Sequence, residues 1–248
     1  MNATGFRRPA GARPFVLGHR GVRGTAPENT MAAFELAARS GADGVELDVR
    51  LCRSGELAVC HDPTLTRATS QRDTRRVADL DAAELAKVDV GGGQGVPLLR
   101  DVLAWADGAR RTVNVEMKRD VPGRRALVAA TAQLLRERTG NSPVIVSSFD
   151  PWMLGYLGWL LPGVPRGFLF EPKRTYLRNG WPATLLGAAA VHPERTLCRP
   201  EQVAKWRARG KVINVWTVND PSEARTLADL GVDAIITDKP DLILAAIS

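Results

Sequence analysis

The sequence predicts an α/β fold, a (β/α)8 TIM barrel with a short extra hairpin strand after strand 2. Eight short runs rich in β-branched residues recur along the 248 residues, and most of them are followed by a helical pattern. Strands that alternate with helices predict a parallel sheet, and eight such units in about 250 residues are typical of a closed barrel. Because neither a repeat nor a linker divides the chain, we expect one domain over residues 1–248, with 1–14 as an N-terminal extension.

The predicted elements alternate regularly along the chain. The strands are residues 15–18, 44–49, 112–117, 144–148, 167–170, 189–192, 212–218 and 234–237. The helices are residues 31–40, with a start marked by Pro27, then 98–108, 123–138, 150–160, 200–209, 220–230 and a last helix from 239. The segment after Phe170 is the least clear. This alternation favours one barrel over two small domains, which the length alone also allows.

Two segments lie outside the alternation. Residues 56–60, ELAVC, follow the turn signal RSG after strand 2, so we expect them to pair with that strand as a hairpin. The run GGGQG at 91–95 is similar to a nucleotide-binding loop, but it lacks a Lys-Ser or Lys-Thr ending and a clean strand–loop–helix order. We therefore interpret it as a flexible connection.

The charge balance favours anionic partners. The formal net charge of +7 comes mostly from arginines scattered along the chain. The sequence has no zinc-finger spacing, no RNA-binding aromatic signature and no continuous basic run, so we do not expect nucleic acid as a partner. A small phosphorylated substrate accounts for the same bias.

Several features favour a cytoplasmic protein. Cys52, Cys60 and Cys198 are odd in number and lack metal-ligand spacing, which suits a reducing compartment. The N-terminus has no apolar stretch behind its basic residues and is not a secretory signal, although export by another route stays open. The most apolar stretch, 151–163, is too short and too interrupted to span a bilayer, so we expect a core-facing helix and no stable membrane insertion.

Acidic residues interrupt two strands that otherwise look buried. Because side chains alternate along a strand, Glu46 and Asp48 share one face of strand 2, as Glu116 and Lys118 share one face of strand 3. In a barrel these positions approach the mouth at the carboxyl ends of the strands. Three converging carboxylates predict a hard divalent cation, Mg²⁺ or Ca²⁺, with Lys118 free to neutralise a phosphate oxygen. The alternative is a set of structural ion pairs with arginine.

Two histidines are expected at the same mouth. His19 follows strand 1 and His61 ends the hairpin, so one imidazole could take a proton from a nucleophile while the other gives one to a leaving group. Arg20 offers a planar fork for phosphate, or else a surface salt bridge to Glu28. His192 also closes a strand, but it lacks matching acids, and we interpret it as structural or substrate-facing.

A series of motifs resembles one family, the glycerophosphodiester phosphodiesterases. In chain order they are HRG (19–21), APENT (26–30), GADGVELDV (41–49), HDPTLTR (61–67), VPLL (96–99), NVEMK (114–118), WTVND (216–220) and GVDAIITDKP (231–240). The resemblance implies a (β/α)8 barrel that hydrolyses glycerophosphodiesters to glycerol 3-phosphate and an alcohol with one divalent cation.

The resemblance also implies roles for residues of this chain. Glu46, Asp48 and Glu116 would hold the metal, and His19 and His61 would form the acid–base pair. The substrate would be bound by further residues, of which Arg20 and Lys118 would contact the phosphate, Glu28 would orient the site and Trp216 would wall the glycerol pocket.

Other interpretations stay open at this point. A related barrel phospholipase, lysophospholipase D-like or forming a cyclic phosphate, could use the apolar stretch 151–163 and the loop 171–181 for a lipid tail. A non-catalytic anion-binding protein would also have a basic charge. That interpretation does not explain the spacing of the acids and histidines. The nucleophile can be water or a glycerol hydroxyl of the substrate. Head group, metal identity and oligomeric state are not determined by the sequence.

Overall fold

A closed barrel of eight parallel strands forms the centre of the protein, in a computed structural model that describes residues 3–177 and 179–248. The strands are β1 Phe15–His19, β2 Gly44–Leu51, β3 Leu57–Val59, β4 Thr112–Met117, β5 Val144–Ser148, β6 Arg166–Phe170, β7 Ala190–Pro193, β8 Val212–Val215 and β9 Ala234–Thr237. Their order is β1-β9-β8-β7-β6-β5-β4-β2, and pairing of β1 with β2 closes the ring. Strand β3 pairs antiparallel with the end of β2. The predicted barrel and its hairpin strand are confirmed.

Helices surround the barrel. They are α1 Met31–Arg39, α2 Ala82–Leu85, α3 Leu99–Ala109, α4 Arg124–Glu137, α5 Pro151–Leu160, α6 Trp181–Leu185, α7 Pro200–Ala208, α8 Pro221–Leu230 and α9 Pro240–Ile247. Short 3-10 turns lie at Ala3–Phe6, Val77–Asp79 and Arg195–Leu197. Among the described residues, no helix combines the length and the apolar character required to cross a bilayer.

Strand alternation separates the main core from the barrel interior. The outward-facing side chains of β2, such as Val45 and Leu47, are buried in the layer between the strands and the helices. Glu46 and Asp48 point the other way, into the barrel. This agrees with parallel strands that are covered on both faces.

Most predicted boundaries lie within about two residues of the observed ones, and the clearest differences are at the start of α1 and the end of β8. Helix α1 begins at Met31 and not near Pro27, because the Thr30 side chain accepts a hydrogen bond from the backbone N–H of Ala33 and caps the helix there. Strand β8 ends at Val215, three residues before the predicted end, because the chain then turns across the barrel mouth.

The N-terminal residues pack against the opposite end of the barrel. Phe6 is buried with Ile145, Ala190 and Val212, which lie near the starts of their strands. The backbone N–H of Arg8 donates to the carboxylate of Asp233, and this further ties the segment down. The division into one domain with residues 1–14 as an extension stays a prediction.

The loop at 91–95 is organised by a carboxylate. The N–H groups of Gly91 and Gly93 donate to Oδ1 of Asp89, and Gly91, Gly92 and Gly93 all have positive φ, which glycine adopts without strain. The Gln94 side chain accepts from the backbone of Ala32 and ties the loop to α1. The loop therefore connects α2 to the segment before α3.

Helix α5 matches its predicted range, but it faces the core on one side only. Met153, Leu154 and Leu157 are buried, whereas Trp152 is 44% and Trp159 74% exposed. The expectation of a core-facing helix is therefore confirmed, and the outer side of α5 stays exposed because a barrel buries only the stripe of a helix that meets the strands.

Candidate active site

A cavity of about 330 Å³ opens at the carboxyl ends of the strands. Seven of the predicted site residues line it, namely His19, Arg20, Glu46, His61, Glu116, Lys118 and Trp216. The eighth, Asp48, is buried within 4.8 Å of Glu46 and Glu116, and the ninth, Glu28, pairs with Arg20 from the side. The structure therefore brings all nine together, although they come from segments that are far apart in the sequence.

The three acids form one buried cluster. One carboxylate oxygen from each of Glu46, Asp48 and Glu116 lies within 4.8 Å of the others. Asp48 and Glu116 are register partners on neighbouring strands, which is why their side chains meet. Nζ of Lys118 lies 2.8 Å from Glu116 and 3.2 Å from Asp48. Nε of Arg20 lies 3.1 Å from Asp48 on the other side.

The three carboxylates differ in how well nearby positive charges compensate them. Burial raises the pKa of Glu46 well above its ordinary value, and repulsion from Asp48 and Glu116 adds to the shift. Burial also raises the pKa of Glu116. For Asp48, burial acts in the same direction, but the charges of Lys118 and Arg20 outweigh it and hold the pKa below its ordinary value. Asp48 is thus the well-paired carboxylate, and Glu46 carries the least compensated charge.

This donor set fits a divalent cation. Oxygens on opposite sides of a Mg²⁺ or Ca²⁺ ion, with bonds of about 2.0–2.6 Å, lie at most about 4–5 Å apart, as these oxygens do. Three carboxylates face only two nearby cationic side chains, Lys118 and Arg20, among the residues described here. A cation would supply the missing charge.

Each of the two histidines is held by a carboxylate. Nδ1 of His19 donates to Oδ1 of Asp238 at 2.7 Å, and Nδ1 of His61 donates to Oδ1 of Asp62 at 2.5 Å. These bonds leave both Nε2 atoms for other partners, and that of His19 lies 4.0 Å from Oε2 of Glu46. Burial lowers the pKa of His61, so its imidazole is neutral near pH 7 and can accept a proton.

Glu28 organises the arginines at the rim of the cavity. Its carboxylate accepts from Arg20 at 3.0 Å and from Arg23 at 3.1 Å, and it lies 2.8 Å from Arg67. Arg67 also donates to Asp62, and with the His61 hydrogen bond this lowers the pKa of Asp62 to about 2 although burial opposes the shift. The ion pair of Arg20 with Glu28, foreseen as an alternative for Arg20, is present together with its contact to Asp48.

Sequence reasoning missed several residues of the site. It assigned no role to Asp238, to Asp62 or to Phe149, whose ring packs edge-on against Trp216 at 5.4 Å between centroids. Asn29, which donates to Asp48 at 2.9 Å, was also missed. A signal existed for Asp238, because it directly follows β9, just as the other site residues lie at or just beyond strand ends.

A second polar group of residues lies inside the barrel. Asn114, Ser147, His192 and Asn214 are fully buried, and Nδ2 of Asn214 lies 3.1 Å from Nε2 of His192. Within the described residues, both amide atoms of Asn114, Oγ of Ser147, Nδ1 of His192 and Oδ1 of Asn214 have no hydrogen-bond partner. Buried polar atoms of this kind bind ordered water. Burial lowers the pKa of His192 to about 3. Of the two interpretations of His192, structural or substrate-facing, its burial supports the structural one.

Known proteins are similar to this chain in sequence and in fold. A model of the glycerophosphoryl diester phosphodiesterase family matches residues 19–242, a range that contains all nine candidate site residues. The chain belongs to the glycerophosphoryl diester phosphodiesterase family. The predicted family is confirmed, and so is the prediction that the chain is an enzyme, a phosphoric diester hydrolase.

Named relatives extend over almost the whole chain. A glycerophosphodiester phosphodiesterase of Caldanaerobacter subterraneus subsp. tengcongensis is 31% identical over 240 residues, covering 94% of this chain and 97% of that protein. One from Bacillus altitudinis is 32% identical over 242 residues, covering 91% and 95%. Each match therefore covers more than nine tenths of this chain and of the relative.

Solved structures show the same architecture. An Oleispira antarctica phosphodiesterase, determined in complex with the product sn-glycerol-3-phosphate, has a TM-score of 0.84 at 28% identity and covers 95% of this chain and 97% of its own. A glycerophosphodiester phosphodiesterase from Agrobacterium tumefaciens has a TM-score of 0.79 at 30% identity, with 94% and 99% covered. The barrel is therefore the fold of these relatives.

Proposed function

We propose that this enzyme hydrolyses glycerophosphodiesters to glycerol 3-phosphate and an alcohol, with a divalent cation, Mg²⁺ or Ca²⁺, and two histidines. The single observation that carries the proposal is the convergence of three buried carboxylates and two carboxylate-backed imidazoles on one cavity. The names of the relatives and the product bound by the Oleispira enzyme support the same substrate class.

Glu46, Asp48 and Glu116 would hold the cation. When bound, it polarises a phosphoryl oxygen as a Lewis acid and offsets the charge that develops there. Lys118 and Arg20 line the same cavity and add positive charge directed at the phosphate. Because each of them also touches Asp48, the two side chains are fixed in place before the substrate binds.

The two histidines transfer the protons of the reaction. With Nδ1 of His19 and Nδ1 of His61 occupied by carboxylates, the proton-transfer atom on each ring is Nε2. One imidazole removes the proton of the nucleophile, which is water or a glycerol hydroxyl of the substrate, and the other protonates the leaving alcohol. An internal attack by the hydroxyl passes through a cyclic phosphate, whose capture in a slow variant distinguishes the two routes.

The remaining wall of the cavity suits glycerol. Trp216 and Phe149 present aromatic surface to the cavity, whereas Glu28 orients Arg20 from behind. The indole N–H of Trp216 donates to the backbone carbonyl of His192 at 2.8 Å, which fixes the ring. An apolar wall opposite charged groups accommodates the carbon face of glycerol beside its phosphate.

The proposal also covers the partners, the domain organisation and the cellular location of the enzyme. Its partners are small glycerophosphodiesters and not nucleic acid, and the whole chain acts as one domain in the cytoplasm. The three free cysteines, all buried, suit a reducing compartment.

A substrate panel tests this function. Purified enzyme is incubated with glycerophosphocholine, glycerophosphoethanolamine, glycerophosphoglycerol and lysophosphatidylcholine, with and without EDTA, and both glycerol 3-phosphate and released choline are detected enzymatically. We expect glycerol 3-phosphate from the deacylated diesters only, and its loss with EDTA and return with Mg²⁺ or Ca²⁺. Preferred cleavage of lysophosphatidylcholine supports a barrel phospholipase instead. Steeply salt-dependent anion binding without turnover supports a non-catalytic binder.

A further inference from the structure

Helix α5 has an aromatic outer face. Its ten residues, PWMLGYLGWL, include no charged side chain. Trp152, Tyr156 and Trp159 are spaced by four and three residues, which places them on one side of a helix. Their rings stack in a continuous row, with centroids 5.4 Å apart for Trp152 and Tyr156 and 5.9 Å apart for Tyr156 and Trp159. The row forms one aromatic surface about as long as the helix.

This face is held outward by the packing of the opposite side. Met153, Leu154 and Leu157 are completely buried in the main core. Rotation of α5 to bury the tryptophans would expose these three side chains, so the aromatic row cannot fold inward without loss of core.

Further exposed apolar side chains lie on α6 and just before it. Arg166 donates to the backbone carbonyls of Leu154 in α5 and Leu186 just after α6, so the end of α6 lies near α5. Six large hydrophobic side chains of the described residues are exposed, and five belong to α5, α6 or the loop before α6. These five are Trp152, Trp159, Tyr176, Trp181 and Leu185, and the sixth is Leu242. The stacked row on α5 is the part of this set that is shown to be contiguous, and a contiguous exposed apolar patch marks a binding surface.

Basic side chains border the aromatic row at both ends. The guanidinium of Arg125 lies 5.8 Å from the centroid of the Trp152 ring, and Arg136 donates to the carbonyl of Leu160 at the other end of α5. Both arginines belong to α4, are exposed and face solvent beside the row. Neither is in an ion pair among the described residues, so their charges are available to an anionic partner.

We propose that the aromatic row of α5, with Arg125 and Arg136 at its border, docks on an anionic phospholipid bilayer. Tryptophan and tyrosine prefer the boundary between lipid head groups and acyl chains, and arginine beside them pairs with lipid phosphates. Helix α5 would lie in the plane of the interface in the manner of a peripheral anchor, without insertion across the bilayer.

Charge favours lipid over a second copy of the chain. A two-fold contact through this surface would bring the arginines of both copies together, and each chain already carries a net charge of +7. An anionic bilayer attracts the same positive charges. The inference is independent of the hydrolytic function, because no residue of the docking surface is assigned to the cavity chemistry.

Vesicle flotation tests the docking. The full-length enzyme is mixed with phosphatidylcholine vesicles with and without phosphatidylglycerol, at low and high salt, and the bound fraction is measured. We expect binding to the phosphatidylglycerol vesicles that weakens with salt, and a loss of about tenfold or more in the double variant Trp152→Ser/Trp159→Ser. Arg125→Ala/Arg136→Ala should lose the preference for phosphatidylglycerol.

Leu242→Ser is the matched control, because Leu242 is a comparably exposed apolar side chain on α9, outside the surface. It should bind as the wild type does. All variants should retain wild-type circular dichroism and turnover of soluble glycerophosphocholine. Absence of binding to any vesicle, or equal binding by the double tryptophan variant, overturns the proposal. So does a wild-type dimer in analytical ultracentrifugation that the tryptophan substitutions dissociate, since the surface is then a self-association interface.

Discussion

Asp238 Oδ1 lies 2.7 Å from Nδ1 of His19, and Nδ2 of Asn219 lies 2.7 Å from the other oxygen of the same carboxylate. Oδ1 of Asn219 in turn accepts from the backbone N–H of Asp238 and from the hydroxyl of Thr237. Asn219 therefore holds the Asp238 carboxylate in the orientation in which it accepts from His19. The result is one defined tautomer of His19, with Nε2 directed toward the acidic cluster.

Asp238→Asn should lower kcat by between about tenfold and 10⁴-fold, with little change in KM, because the amide no longer stabilises a protonated imidazole or selects its tautomer. The pH dependence of kcat should change shape, which a purely structural defect would not produce. Asp241→Asn, an exposed acid three residues later, serves as the control and should leave both constants unchanged. Wild-type kcat in Asp238→Asn would exclude a positioning role.

His19→Ala and His61→Ala should each lose about 10²–10⁴-fold in turnover of glycerophosphocholine while they keep the metal-induced rise in melting temperature. A substrate with a different leaving group distinguishes the roles of the two histidines. A substrate that releases nitrophenolate needs no acid, so the variant that lacks the general acid should recover most of its rate on it, and the variant that lacks the base should not. Equal recovery by both variants, or wild-type turnover by either, contradicts the assignment.

The barrel and most of its site could be predicted because their signals are local. Alternation along a strand places Glu46 and Asp48 on one face regardless of the rest of the chain. The rule that parallel strands end at one mouth then brings Glu116 to them. Neither step requires a knowledge of side-chain packing.

The partners of these residues depend on contacts that no local pattern encodes. Asp238 and His19 are 219 positions apart, and their contact requires the pairing of β1 with β9 as well as the Asn219 side chain. The exposure of the outer face of α5 also depends on the tertiary structure. Apolar composition favours burial, but the closed barrel had already filled its layer with Met153, Leu154 and Leu157.

The acidic cluster should limit the stability of the metal-free enzyme. Glu46→Gln removes the least compensated buried charge, so the metal-free protein should gain about 1 kcal/mol, or about 2–4 °C in melting temperature. The same change removes a proposed metal ligand, so activity and the melting shift caused by Mg²⁺ or Ca²⁺ should both disappear. Differential scanning calorimetry with EDTA or metal measures both effects.

Asp48→Asn is the matched comparison and should have the opposite sign. It leaves Lys118 and Arg20 without their shared carboxylate, so the metal-free protein should lose about 3–5 kcal/mol. Glu35→Gln, a substitution in an exposed pair on α1, should change little. A lower metal-free melting temperature in Glu46→Gln would show that its charge is compensated after all.

His192 should make the fold sensitive to acid. Its pKa is about 3 in the folded protein, because burial disfavours the charged imidazole, and about 6.5 in the unfolded chain. Between these values the unfolded state binds one more proton, so the contribution of His192 to the free energy of unfolding falls as pH drops from about 6.5 toward 3. The full loss is roughly 4–5 kcal/mol.

His192→Gln isolates this contribution. The substitution lowers stability by an amount that does not depend on pH, because it disturbs the contact with Asn214, but it removes the titrating group. Urea unfolding of both proteins between about pH 7 and pH 4.5 should therefore give curves that converge as pH falls, with a slope difference of one proton. Buried carboxylates with raised pKa values, such as Glu46, act in the opposite direction but equally in both proteins, so the difference between the two curves reports His192 alone. Parallel curves would mean that this imidazole becomes protonated inside the barrel.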